Sequence, residues 1–595
     1  MHALLVSFVL GATIQVGPTR TITQLSGVNQ NMVMPGDVIE VDGDATYGAV
    51  RWTRSGTQAM PIRIVGLRVN GNRPRLMGGT NTLEVQADDV VVEGFELTGG
   101  TFRCFFHHGH RLTLRDSVVH DCAAHGVLGA DQDSGSLLME FVEVYRCGNG
   151  TSQHQVYMAT DEIAHPGSVF RMQYCYLHDA NGGNNVKSRA ERNEIYFNWI
   201  EGALYHELEL IGPDPNGAAT GWTIDTARED SDVVGNVLKK VGTSFVARIG
   251  GDATGWSKGR YRFVNNTIIT STGSGAVWRL FDELESVEMH NNVLVVNGTG
   301  APNVMRAAAG EFTWTGGTRR LSGSNNWVQT GASNIPAEWT ATVSGASPSV
   351  TSLINDPRPM TGSPLINAGT ATQVAPPGAM FPNPLTAVGF EPPLRMLMPG
   401  AATARVSAGV IDIGAFEFGS ASGGGGGGAT GGGGGSGGGA ATGGGTATGG
   451  GSATGGGAAT GGGSATGGGA ATGGGSATGG GTATGGGSAT GGGAATGGGS
   501  ATGGGTATGG GSATGGGSAT GGGAATGGGA ATGGGTATGG GGGGDGVAGG
   551  CGCASLDATL ALAALALLSA RRRATAVAPS PRPSPSRERG NFCDD

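Results

Sequence analysis

Val91-Val92-Glu93-Gly94-Phe95 sets two apolar residues, a charged and a small residue and a further apolar in a row. Variants of the phrase return down the chain as Leu114-Arg115-Asp116-Ser117-Val118, Met139-Glu140-Phe141-Val142, Met172-Gln173-Tyr174-Cys175 and Tyr196-Phe197-Asn198-Trp199-Ile200. Three later copies read Val234-Gly235-Asn236-Val237-Leu238, Val264-Asn265-Asn266-Thr267-Ile268 and His290-Asn291-Asn292-Val293-Leu294. Between central residues the steps are 22, 25, 33, 24, 38, 30 and 26. Repetition at this length means stacked units, and the period-two alternation inside each copy makes those units strands. The apolar runs are too short for amphipathic helices. Asparagine beside the strand suits a tight bend, because it tolerates left-handed backbone angles. Its stacked side chains are expected to hydrogen-bond along the array. Unequal steps suit a coil whose loops vary while its strands do not. The sequence therefore predicts an all-β chain, a parallel β-helix.

Both ends of the coil carry a resemblance. Thr13-Ile14-Gln15-Val16-Gly17, Pro35-Gly36-Asp37-Val38-Ile39 and Pro61-Ile62-Arg63-Ile64 resemble the opening of right-handed β-helix proteins of the pectate-lyase-like superfamily. The pair Gly362-Ser363-Pro364-Leu365-Ile366-Asn367-Ala368-Gly369 and Asp412-Ile413-Gly414-Ala415-Phe416-Glu417 resembles the closing segment of secreted members. This implies a right-handed single-stranded coil over residues 13–418. It implies no one activity, since one fold hosts many functions.

The flanks differ in kind. Residues 1–12 include an apolar run, Ala3 to Ala12, that resembles the core of a secretory signal. Residues 419–546 are almost wholly Gly, Ala, Thr and Ser in hexads, with no charge before Asp545. Such a stretch has little to bury and is expected to be a structureless spacer about 60 Å long on average. Residues 547–573 hold Cys551 and Cys553, an apolar run and Arg571-Arg572-Arg573. They resemble the C-terminal sorting signal of myxobacterial surface proteins, and they read as a membrane anchor that leaves the coil outside. Residues 574–595 form a Pro/Arg/Ser-rich tail that departs from that pattern. Together the ends predict an exported, surface-tethered chain that acts as a monomer.

Seven cysteines fit an oxidising compartment. Cys122 and Cys147 each lie six residues after the central residue of their copies, which stacks them on neighbouring rungs. A disulfide and a reduced buried pair are both open readings of that stacking. A net charge of −9 with 13% charged residues argues against a nucleic-acid partner.

A second strand follows each copy of the phrase. In Asn185-Val186-Lys187-Ser188-Arg189-Ala190, alternation with Val186 and Ser188 inward sends Lys187 and Arg189 outward. The same alternation sends Glu207 and Glu209, then Arg248, then Arg279 outward on successive rungs, with Tyr157 one rung earlier. Alternating charges on neighbouring rungs form ion pairs, and that alone would explain the stripe. A functional reading rests on the concentration of ionisable groups in a chain poor in charge. Elimination on an acidic polysaccharide needs a base for the proton α to a carboxylate and a cation to neutralise that carboxylate. The resemblance implies Lys187 as base, Arg189 assisting, Glu209 in the catalytic set and Glu207 with Glu209 as calcium ligands. His154 and His206 flank the stripe as binding or acid–base groups. Asp131-Gln132-Asp133-Ser134-Gly135 has the opening of a calcium loop, making Asp131 and Asp133 weak metal candidates beside the plain-turn reading. The expected partner is a polysaccharide. A lyase, a uronate C5-epimerase and a non-catalytic adhesin or glycan-binding protein all remain open.

Overall fold

The computed structural model describes residues 11–419 apart from 215–219, 224–225, 227, 252–256, 282, 307–313, 315–316, 397 and 408, together with short segments between 428 and 538. The apolar run before residue 11, the Cys551/Cys553 segment, the arginine cluster and the tail lie outside the described residues. Among the described residues no helix is long and apolar enough to cross a membrane.

Residues 13–345 form a right-handed parallel β-helix with three sheets of 13, 12 and 10 strands, here the first, second and third. Each rung visits them in that order, as in Val90–Glu93, Glu96–Thr98 and Arg103–His107, followed one rung on by Leu112–Arg115, Val118–His120 and His125–Gly129. Every pairing along the three stacks is parallel and in register, for example Leu114 beside Met139 and Val119 beside Val144. The interior is a continuous apolar column that includes Phe95, Phe105, Phe170, Tyr261, Phe263 and Trp278, all fully buried.

The repeated phrase is the corner between the first and second sheets. Its turning residue is left-handed on rung after rung: Gly94, Asp116, Phe141, Tyr174, Phe197, Gly235, Asn265 and Asn291, with φ between 44° and 86°. Glycine and asparagine suit that conformation, whereas Phe141, Tyr174 and Phe197 hold it against their preference. Their rings stack on one another, Phe141 on Tyr174 at 5.0 Å and Tyr174 on Phe197 at 5.8 Å, and packing offsets the strain.

One residue further on, an amide ladder runs through the protein. Asn198 donates to Asn236 Oδ1, Asn236 to Asn266, Asn266 to Asn292 and Asn292 to Asn326, each at 3.0 Å from the side-chain amide. Each amide also donates to a backbone carbonyl, such as Asn236 Nδ2 to Ile195 O at 2.8 Å. All five are fully buried, so the ladder satisfies corner groups that water cannot reach. The closing segment docks on this edge. Gly414 N donates to Asn291 O, and Leu365, Ile413 and Phe416 cluster with Trp199, Val293 and Trp327.

One expectation is corrected. The disulfide joins Cys104 to Cys122, with Cα atoms 5.9 Å apart, and Cys147 is a buried free thiol. In-register stacking holds like-placed side chains parallel at about 4.8 Å, wider than the Cβ separation a disulfide takes. Cys104 instead meets Cys122 across the corner between second and third sheets, and the Cys147 thiol donates to Tyr145 O at 3.4 Å. Among the described residues of the Gly-rich stretch, three-residue segments such as Ser452–Thr454 and Ser464–Thr466 pair in parallel every twelve residues.

Replacing Asn236 by Leu takes the Asn236 Oδ1 acceptor from Asn198 N and Nδ2 and the side-chain donor from Ile195 O, while Asn266 Oδ1 keeps only the backbone N–H of residue 236. Each buried group left unpaired costs about 1–3 kcal/mol, so thermal unfolding of the variant is expected several degrees lower; an unchanged Tm contradicts the ladder's role. Peptide mapping without reduction is expected to link the Cys104 and Cys122 peptides, with Cys147 and Cys175 alkylated only after unfolding. A Cys122–Cys147 peptide contradicts the pairing.

Candidate functional site

The third sheet carries an outward file of side chains set by strand register. Tyr157 pairs with Lys187, Lys187 with Glu209, Glu209 with Arg248, Arg248 with Arg279 and Arg279 with Arg306. Each belongs to a short strand: Val156–Ala159, Val186–Arg189, Leu208–Ile211, Ala247–Gly250, Trp278–Leu280 and Met305–Arg306. Val156, Val186, Leu208, Leu210 and Ile249 fill the core between the outward positions, so apolar burial fixes which residues face out.

Glu209 is the hinge of the file. Its side chain is 3% exposed, with Arg248 Nη1 at 2.6 Å and Lys187 Nζ at 3.6 Å. Arg248 holds Oε1, and Asn184 Nδ2 donates at 2.5 Å to Oε2, the oxygen that faces Lys187. Burial alone would raise its pKa, but the Lys187 and Arg248 charges outweigh that and bring it down to about 2. The carboxylate therefore stays charged throughout the physiological range. Lys187 also lies over the Tyr157 ring, 5.3 Å from its centre. Beyond Glu209 the cations sit among aromatic rings: Arg248 over Phe281 at 4.1 Å, Arg279 over Phe281 at 4.4 Å and over Phe245 at 4.9 Å.

A second file lies where these strands begin, at the corner, and here simple alternation fails. His125, His154, Asn184 and His206 follow one another up the coil. Backbone N–H groups of each next rung donate to them: His154 N to His125 Nδ1 at 3.2 Å, Asn184 N to His154 Nδ1 at 3.0 Å and His206 N to Asn184 Oδ1 at 2.8 Å. The rings face the file, His154 standing edge-on to Tyr157 at 5.5 Å. Burial pushes His125 and His206 down to about 4 and His154 well below its ordinary value. These imidazoles are neutral at pH 7. The Nε2 atoms of His154 and His206 are buried and make no hydrogen bond among the described residues.

Glu207 is not on the outer face. It is fully buried, takes a hydrogen bond from Asn185 Nδ2 at 2.5 Å and pairs with Lys240 Nζ at 3.5 Å. Burial pushes it up to about 7. The reason is the corner: the chain has not yet settled into the strand at Glu207, so His206 turns out and Glu207 turns in. Arg189 keeps its outward parity but is 3% exposed. Its Nη1 donates to Gly212 O at 2.7 Å and its Nε to the Tyr157 hydroxyl at 3.2 Å. It does not lie open beside Lys187, because the chain leaving the next strand covers it.

Neither calcium reading fits the donors. Glu209 lies between two cations, and Glu207 faces away from it. Asp131 and Asp133 are exposed on a turn in which Asp133 takes a left-handed φ of 59° and its N–H donates to Asp161. Among the described residues no three His, Cys, Asp or Glu side chains gather as a metal site. Sequence reading missed two members of the site. Asn184 sits just before its strand, where its amide holds Glu209, and Arg306 follows the His290–Leu294 copy on a strand of only two residues, too short to show an alternation.

The buried neutral histidines make stability pH-dependent. His107, His125 and His206 titrate near 4 when folded and near 6.5 when unfolded. Between those values the unfolded chain binds more protons, so stability falls with falling pH by up to about 1.4 kcal/mol per unit for each histidine. Melting curves from pH 7 to 4.5 are expected to show a steep fall in Tm, shallower in His206→Gln. An equal slope in that variant contradicts the assignment.

No protein-family model matches the chain, and no curated protein matches it. Among solved structures, similarity is found to the pectate lyase Pel9A, at 12% identity and a TM-score of 0.36, over 69% of this chain and 96% of that one. An alginate lyase from Paenibacillus sp. str. FPU-7 is 15% identical with a TM-score of 0.34, over 56% of this chain and 99% of its own. A PL6 family polysaccharide lyase from Pseudopedobacter saltans is 12% identical with a TM-score of 0.34, over 57% and 94%.

Proposed function

We propose that this protein is exported, tethered to the cell surface, and engages an extracellular acidic polysaccharide along the outer face of the third sheet. The observation that carries the reading is the in-register file Tyr157–Lys187–Glu209–Arg248–Arg279, with Phe245 and Phe281 packed among its arginines. A guanidinium binds a carboxylate through two parallel N–H donors. Aromatic rings offer apolar faces to the C–H surface of a sugar. Tyr157 adds its ring beside Lys187, whereas His154 and His206 are buried behind the file and do not reach a sugar on the outer face. Export and tethering rest on the two ends of the sequence.

A second reading, cleavage by β-elimination, is favoured by Lys187, whose side chain is 16% exposed while Glu209 is 3% exposed. In that chemistry Lys187 Nζ, as the free amine, takes the proton α to the uronate carboxylate, Arg248 neutralises the charge that develops there, and the electron pair forms a C=C bond as the C–O bond breaks, the departing sugar oxygen taking a proton from water. Glu209 spaces the two cations, and Arg189 holds Tyr157 in place. A C5-epimerase shares the first step and returns the proton to the opposite face.

A panel of uronate-containing polymers tests both readings. Wild type is expected to bind at least one of them, and Arg248→Ala or Arg279→Ala to weaken binding about tenfold or more. Wild type that binds no uronate polymer contradicts the proposal. Unsaturated product from wild type, lost in Lys187→Ala, establishes the lyase. Binding without product from any polymer leaves the protein a glycan-binding surface module.

A further inference from the structure

The closing segment returns over the outer face of the first sheet and leaves a cleft of about 960 Å³ between that sheet and residues 383–390. This volume falls within the range of small-molecule clefts. The cleft opens on a different sheet from the Lys187–Glu209 file, and its chemistry differs.

Its lining charges balance, Arg171, Arg192 and Arg228 against Glu191, Glu194 and Asp230, and Glu191 accepts from Gly167 N and Ser168 N. Arg171 pairs with Glu194, Arg192 with Glu194 at 3.2 Å and Asp232 at 2.7 Å, Arg228 with Glu285 and Arg260 with Asp230 at 3.2 Å. A face balanced in this way has little pull on an anion. One donor is left over. The Arg192 side chain is only 10% exposed, and its Nη1 is buried without a hydrogen-bond partner among the described residues. It lies with the guanidinium over the Phe381 ring, out of reach of a ligand in the cleft.

The remaining lining is aromatic. Phe390 is 37% exposed and stands edge-on to Tyr174 at 5.4 Å and at a steep angle to Phe197 at 5.9 Å. Tyr174 and Tyr196 also line the cleft, and among the described residues neither hydroxyl is hydrogen-bonded within the protein. Apolar ring surface beside a few fixed donors and acceptors, with no net charge, matches a ligand that is hydroxyl-rich, has apolar C–H faces and is itself uncharged.

We infer that this cleft is a second glycan site, selective for an uncharged saccharide, with Phe390 as its stacking surface and the Tyr174 and Tyr196 hydroxyls as its polar contacts. The site is independent of the acidic-polymer face. Two sites, one for an uncharged and one for an acidic saccharide, on one coil would let the protein bridge different glycans.

Calorimetric titration of the full chain with gluco-, galacto- and manno-configured neutral hexasaccharides, and with a galacturonate hexamer, tests this. At least one neutral hexamer is expected to saturate the wild type. Phe390→Ala, a change at a partly exposed ring, is expected to weaken it about tenfold, and Tyr196→Phe, which removes only a hydroxyl, to weaken it less. Lys187→Ala is expected to bind the neutral hexamer as wild type does. If no neutral hexamer binds, if Phe390→Ala and Tyr196→Phe both bind like wild type, or if the galacturonate hexamer displaces the neutral one, the inference is overturned. Loss of uronate binding alone leaves it standing and bears only on the third-sheet proposal.

Discussion

In a coil of parallel strands the backbone ladder sets one rise per rung, about 4.8 Å, and holds every strand in register with the one below. Everything else in this protein follows from that constraint. Side chains at equivalent positions must stack on their like, so each corner and each face is a column with one chemistry. The first corner is a column of left-handed residues backed by buried asparagines, and the interior is a column of apolar side chains. The third-sheet face is a column of charges. A residue is therefore judged by its column as much as by its neighbours in sequence.

This explains which parts were legible in sequence. Where the chain lies within a strand, period-two alternation placed Lys187, Glu209, Arg248 and Arg279 in one file, because apolar burial of Val186, Leu208 and Ile249 leaves no other choice. The amide ladder was legible for the same reason, since asparagine recurs one position after the turning residue. Alternation gave the wrong face at Glu207, where the corner has rotated the backbone. It also said nothing of the Gly212 carbonyl that covers Arg189, because that cover comes from a loop and not from a rung. The disulfide went astray for a related reason. Stacking was read as proximity, but stacked side chains run parallel, and Cys104 reaches Cys122 from across a corner.

The two outer faces show how one scaffold separates binding chemistries. On the third sheet one carboxylate, Glu209, serves Lys187 and Arg248 directly, and Arg248 and Arg279 lie against the Phe281 ring. On the first sheet arginines and carboxylates alternate across the rungs, as in Arg171 beside Glu194 and Asp232 beside Arg262, and cancel. Neither face needs a change in the coil. The difference lies in a handful of outward positions, and loops and the closing segment decide which of them a ligand can reach.

Chemical footprinting tests the central claim, engagement of an acidic polymer by the third-sheet file, without presuming a reaction. Lysine and arginine side chains are labelled in the presence and absence of a saturating uronate polymer, and the protected residues are read by mass spectrometry. The account predicts protection of Lys187, Arg248 and Arg279, while Arg171 on the first sheet, 47% exposed, stays as reactive as before. Protection centred on Arg171, or labelling of the file unchanged by bound polymer, would contradict it.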